Sequence, residues 1–192
     1  MANIRSILKF RRRQEGRTNY RKRLTLLKSG NIRFIVRPSN RHVQVQLVDY
    51  EPKGDKIILS CKSDKLKAYG WKAPTGNLPS AYLTGLLCGR LSKGKIKVAI
   101  LDSGRSSLSK GNIAYAALRG IMDAGVAVKH SPDKFPGNER VSGRHIKNYA
   151  EQLKKINPEK YKNTFSSYLK SGIAPEEFES HFESVKKKIM EL

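Results

Sequence analysis

The chain has 192 residues, enough for one domain with a real core and some appendages. Its 39 Lys and Arg against 16 Asp and Glu leave a formal net charge of +23. So much like charge destabilises a compact protein unless a partner neutralises it, and nucleic acid fits best because neutralised phosphates release condensed counterions. A membrane surface would need an apolar helix face or a lipid anchor beside the charge, and a transmembrane helix would need roughly twenty apolar residues; the chain offers neither.

The N-terminus lacks the apolar core of a secretory signal, so a cytosolic protein is expected. Ile4, Ile7 and Leu8 are apolar but too few to fold alone. From Lys9 to Arg23, eight of fifteen residues are basic and only Glu15 is acidic. Charges of this density cannot be buried without partners, so the run must face solvent or a polyanion. Arg presents a planar fork that matches two phosphate oxygens, and Lys adds a mobile point charge.

Tyr20, Leu24 and Leu27 then fall on one helical stripe, with Arg21, Lys22, Thr25 and Lys28 opposite and a stop at Ser29-Gly30. This helix is expected to dock its apolar face and show its basic one. Three alternating runs, Ile32 to Val36, Val43 to Leu47 and Ile57 to Cys61, predict an antiparallel meander with a polar-leaning face. Asp64 is a candidate cap for a short helix through about Tyr69, followed by a loop in which Trp71 is expected to anchor to the core.

The pattern predicts a helix from Leu78 to about Leu91, with Pro79 in the first turn, where the missing amide does least harm. Val98 to Leu101 reads as a strand covered on both faces. A loop from Ser103 leads to a helix around Ile113, Ala117, Leu118 and Ile121 that stops at Gly125, and Val126 to Val128 reads as a fifth strand. His130 to Gly143 reads as a loop. Helices follow over about 144–156, 159–170 and 175–190. The order implies a mixed sheet with helices packed on it.

Chemistry has no visible seat. The Asp102 to Asn112 loop runs from a strand into a helix N-terminus, where amides favour anions. It lacks the Gly-Lys-Ser/Thr order of a nucleotide loop, leaving an RNA-backbone contact or a plain connection. Asp102 and Asp123 are available to a metal-dependent nuclease, but the first strand has no acid to join them. His42, His130, His145 and His181 show no close pairing, and Cys61 and Cys88 lack metal or redox spacing, so both read as reduced core residues.

Phe10 to Gly30, Tyr69 to Gly85 and Ala116 to Gly125 together resemble the archaeal form of the large-subunit ribosomal protein L-eighteen family, and Tyr161 to Gly172 resembles the extension of its longer eukaryotic relatives. The resemblance implies binding to 5S ribosomal RNA, attachment of that RNA to large-subunit ribosomal RNA in the central protuberance, and neighbouring large-subunit proteins as partners. It implies no cofactor and no membrane. The implied fold is α/β, a mixed sheet with helices in a ribonuclease-H-like topology without catalytic acids. A basic arm and short helix over 1–30, a body over 31–130, and a loop and helical extension over 131–192 complete it.

By position, Arg11, Arg12, Arg13, Arg17, Tyr20, Arg21 and Arg23 match the family's RNA-binding arm. Lys9, Lys22 and Lys28 from the same segment, with Arg105 and Lys110 from the loop, complete the candidate RNA-binding set. A ribosomal structural protein and a general RNA- or DNA-binding protein are the two leading readings, with an enzyme third. The protein is expected to leave an RNA–DNA hybrid uncut in magnesium; cleavage that Asp102→Asn abolishes would reverse that expectation.

Overall fold

The computed structural model describes residues 8–92 and 94–192, so Ile4 and Ile7 lie outside the described residues. Five strands form one sheet: β1 (Ile32–Pro38), β2 (Val43–Asp49), β3 (Lys56–Lys62), β4 (Val98–Asp102) and β5 (Ala127–Val128). Their order is β3-β2-β1-β4-β5. The three sequential strands pair antiparallel, and β4 and β5 join parallel beside β1. The sequence thus gives the mixed sheet expected of strands followed by alternating helices and strands.

Strand alternation separates two faces. Phe34, Val36, Val43, Val45, Leu47, Cys61 and Ala99 point into the main core, with helices α3 (Leu78–Leu91) and α4 (Ile113–Asp123) packed on them. These two helices approach closely because glycines face backbone. A Cβ on Gly85 would lie 2.0 Å from the Ala117 carbonyl oxygen, and one on Gly120 would lie 2.0 Å from that of Tyr82. The Tyr82 hydroxyl also donates to Asp123 at 2.6 Å. Asn77 and Asn112 cap the two helices, accepting from the Ser80 and Ala114 amides.

The C-terminal segment is part of this core. Helix α9 (Phe178–Met190) buries Phe178, Phe182, Val185 and Ile189, and packs on α3. Trp71 is buried edge-on to Phe178 at 5.6 Å and stacked on His181 at 5.2 Å, so it anchors its loop as expected. Cys61 and Cys88 are free and buried. A smaller core gathers Ala150, Leu153, Tyr161 and Phe165.

Several local expectations change. The segment expected as a loop from His130 to Gly143 contains a 3-10 turn, Pro132–Lys134, and the short helix α5 (Asn138–Ser142). Gly143 ends α5 at φ 80° against the Phe178 ring, where a Cβ would meet Cε1 at 2.1 Å. After α6 (Arg144–Ile156), the single helix expected over 159–170 divides into α7 (Pro158–Thr164) and α8 (Ser166–Lys170). Phe165 sits at the joint, buried with the Tyr161 and Tyr168 rings 5.4 and 5.7 Å away; packing, with neither Pro nor Gly, makes the break. Ser63–Tyr69 is a 3-10 helix. The Asp64 carboxylate pairs with His42 and Lys62 instead of capping it.

The α3–α4 contact is the most sensitive point in this packing. Gly85→Ala is expected to cost about 2 kcal/mol or more, because overpacking of roughly 1–3 kcal/mol or beyond outweighs the gain of up to about 1 kcal/mol in helix propensity. Urea unfolding should show a lower midpoint at unchanged slope.

Candidate nucleic-acid interface

The second face of the sheet carries Arg33, Ile35 and Arg37 on β1 and Asp102 at the end of β4. Arg33 is only 1% exposed. A guanidinium taken out of water costs on the order of several kcal/mol unless compensated. Two acids compensate it: Asp55 Oδ1 lies 2.7 Å from Nη2, and Asp102 Oδ2 lies 3.4 Å from Nη1. The Asp55 approach is close but poorly aligned, since Nη2 and Nε make no well-formed hydrogen bond.

Further cations gather on the same acids. Arg23 donates to Asp55 at 2.7 Å, and Arg37 donates to the Asp102 carbonyl at 2.8 Å. Burial pushes the Asp55 carboxyl up, but the hydrogen bond from Arg23 and the adjacent Arg33 guanidinium outweigh burial and hold it below the ordinary carboxylate range. The same Asp55 bond raises the Arg23 guanidinium.

Helix α2 (Tyr20–Leu27) closes over this network, and its apolar stripe docks only in part: Tyr20 and Leu27 are half-buried and Arg21, Thr25 and Lys28 exposed as expected, but Leu24 is exposed and Lys22 turns inward. Leu24 is 58% exposed and α2 buries no residue. Lys22 and Arg23 face the body instead: Lys22 donates to Ser103 Oγ at 3.0 Å and to the Gly104 carbonyl at 2.9 Å. The reason is the surface beneath, which offers a carboxylate and acceptor oxygens where an apolar stripe would need an apolar floor. Asn19 caps the helix by accepting from the Lys22 amide.

Ahead of α2, the basic run contains the short helix α1 (Arg11–Gln14). Glu15 bridges Arg11 at 2.7 Å and Arg17 at 3.1 Å, and Arg12 donates to Thr18 at 2.9 Å. Arg105, from the β4–α4 loop, donates to the Gly16 carbonyl. Two adjoining grooves of about 550 and 450 Å³ result. Arg13, Tyr20 and Arg21 line the outer one; Arg12, Arg17, Arg23, Arg33 and Arg37 line the inner one; Lys22 and Arg105 border both. Asp55 and Asp102 are the acids in their walls.

Most of the candidate residues named from sequence therefore meet at one place. Lys9, Arg11, Lys28 and Lys110 are exposed and do not line the grooves. Lys110 lies at the far end of the loop, beside Gly111, whose amide donates to the Lys134 carbonyl. Two amides that a backbone cradle here would use are already taken, that of Gly104 by Asp102 at 2.7 Å and that of Ala114 at the α4 N-terminus by Asn112. Arg33, Arg37 and Asp55 were missed from sequence; the available signal was Arg33 and Arg37 four apart on one strand, hence on one face. Among the described residues no cluster of three or more metal-ligating side chains occurs.

Asp55 gives the interface a pH dependence. Its folded pKa lies below the unfolded value of about 3.9, so its contribution is complete above that value and lost as pH falls through the lowered native one. Asp55→Asn should lower stability at neutral pH and flatten the decline below about pH 4, read as thermal midpoints across pH.

Residues 5–99 match the family model described as "Ribosomal large subunit proteins 60S L5, and 50S L18". The large ribosomal subunit protein uL18 of Caldivirga maquilingensis is 47% identical over 187 residues, covering 96% of this chain and 90% of that protein. With an arm, a sheet and flanking helices that the match spans nearly end to end, the chain belongs to this family of large-subunit ribosomal proteins.

Proposed function

We propose that this large-subunit protein binds 5S ribosomal RNA through its arm and basic grooves and attaches it to the large-subunit ribosomal RNA in the central protuberance. It serves translation in the cytoplasm as a structural constituent of the ribonucleoprotein, beside other large-subunit proteins. The observation that carries this reading is the convergence of seven cations, Arg12, Arg17, Lys22, Arg23, Arg33, Arg37 and Arg105, on one groove with two acids. Asp55 and Asp102 are already engaged by Arg23, Arg33 and Arg37, so the outward charge is left for phosphate.

The body fits a ribonuclease-H-like topology: three antiparallel strands, then two parallel ones added beside the first. Such an enzyme needs carboxylates free to hold metal ions. Here the first strand supplies Arg33, which turns Asp102 into a counterion. That supports a structural role. The division into arm and helix over 1–30, body over 31–130 and extension over 131–192 is part of the proposal, with α2 as the piece that seals the body.

Binding to transcribed 5S ribosomal RNA at several salt concentrations tests the reading. Removing residues 1–18 while keeping α2 should weaken binding and flatten the plot of log affinity against log salt by roughly 0.7–0.9 per lost phosphate contact. Lys22→Ala combined with Arg105→Ala should act in the same direction. Unchanged affinity and slope in both would defeat the assignment.

A further inference from the structure

The two faces of the sheet are covered unequally. Helices α3 and α4 close one face, whereas α2 closes only the end of the other, over Arg33 and Ile35. Beyond it, Arg37, Gln44, Ile58 and Lys62 are exposed and Gln46 and Ser60 are half-buried. The strand register arranges these side chains in rungs. Arg37 stands opposite Gln44, and Gln44 opposite Lys62. Gln46 stands opposite Ser60, with its amide 3.3 Å from the Ser60 hydroxyl.

We propose that this open face, along the rung Arg37–Gln44–Lys62 and the Gln46–Ser60 pair beside it, is a second contact surface for the ribose-phosphate side of the same RNA. The inference rests on the function proposed above. Arg37 belongs to both surfaces, since it also lines the inner groove, so the sheet face continues the groove without a break. With neighbouring strands about 4.8 Å apart, the rung sets Arg37 and Lys62 about 10 Å from each other across Gln44.

The chemistry selects the occupant. Arg37 and Lys62 supply charge for phosphates, and the amides and hydroxyl between them can both donate and accept, as a 2′-hydroxyl requires. No aromatic ring stands on these rungs, and the Arg37 guanidinium is held by the Val36 and Asp102 carbonyls at 2.9 and 2.8 Å, so the face favours the backbone over stacked bases. A protein helix would need an apolar stripe, but the exposed large apolar side chains beside them are Ile57 and Ile58, adjacent on β3 where the register shifts, and they make no stripe along the rungs. Lys62 pairs with Asp64 at 2.8 Å, an exposed bond that a phosphate can replace.

The test is affinity for transcribed 5S ribosomal RNA together with hydroxyl-radical footprinting of its riboses. The double variant Gln44→Glu, Lys62→Glu should bind roughly tenfold more weakly, as expected when a phosphate contact becomes a repulsion. It should lose protection at one group of riboses while keeping the protections that depend on Lys22 and Arg105. The corresponding double alanine variant, which adds no charge, supplies the same footprint test if Glu perturbs the fold, with thermal midpoints as the control. Affinity within twofold of the unmodified protein and an unchanged footprint, while Lys22→Ala with Arg105→Ala loses binding, would overturn the sheet-face contact alone. Retention of full binding by both sets would overturn the groove assignment and this inference with it.

Discussion

Arg33 stands in the central strand, out of water, with its charge balanced by Asp55 from one loop and Asp102 from the strand beside it. A buried guanidinium tolerates no loose arrangement, because losing a partner leaves an uncompensated charge in a poorly hydrated site. The requirement fixes the β2–β3 loop that carries Asp55 and the end of β4 that carries Asp102. It also decides what covers the face. Arg23 shares Asp55 and Arg37 shares Asp102, so the surface grows by adding cations around two shared acids.

That construction solves a problem set by composition. A chain with a formal charge of +23 must hold cations close together without a partner always present. The core meets the structural half of the problem with apolar side chains between α3, α4, α9 and the sheet. At the interface, carboxylates and carbonyl oxygens separate the cations: Glu15 between Arg11 and Arg17, Asp55 between Arg23 and Arg33, and the Gly16 carbonyl beneath Arg105. Except at buried Arg33, each contact leaves further guanidinium donors available for phosphate.

The C-terminal helices follow a different logic. Their second small core is fastened by Glu176, whose carboxylate accepts from the Tyr161 hydroxyl and, in an ion pair, from Lys154 at 2.9 Å. Burial pushes the Tyr161 hydroxyl up, and the Glu176 carboxylate it serves adds to that shift. Helix α9 returns to the main core against Trp71 and α3, tying the extension to the body. The carbonyl of Met190 near its end accepts from Arg90 on α3, a favourable arrangement for a cation at a helix C-terminus.

Periodicity and punctuation determined the strands, the two long core helices, the anchoring role of Trp71 and the basic segment, because these depend on neighbours a few residues apart. The family resemblance added what charge could not: membership among large-subunit ribosomal proteins, upheld by the match over most of the chain. Tertiary structure alone decided which way α2 faces, that Arg33 is buried and not on a solvated face, and that Arg105 and Lys110, five residues apart, serve different places. Phe165 breaking a helix without Pro or Gly belongs with them. Each of these turns on partners distant in sequence, Asp55, Asp102, Ser103, Gly16 and Lys134 among them. Burial and charge pairing are properties of such assembled surroundings, and no local pattern encodes which distant acid a given arginine will meet.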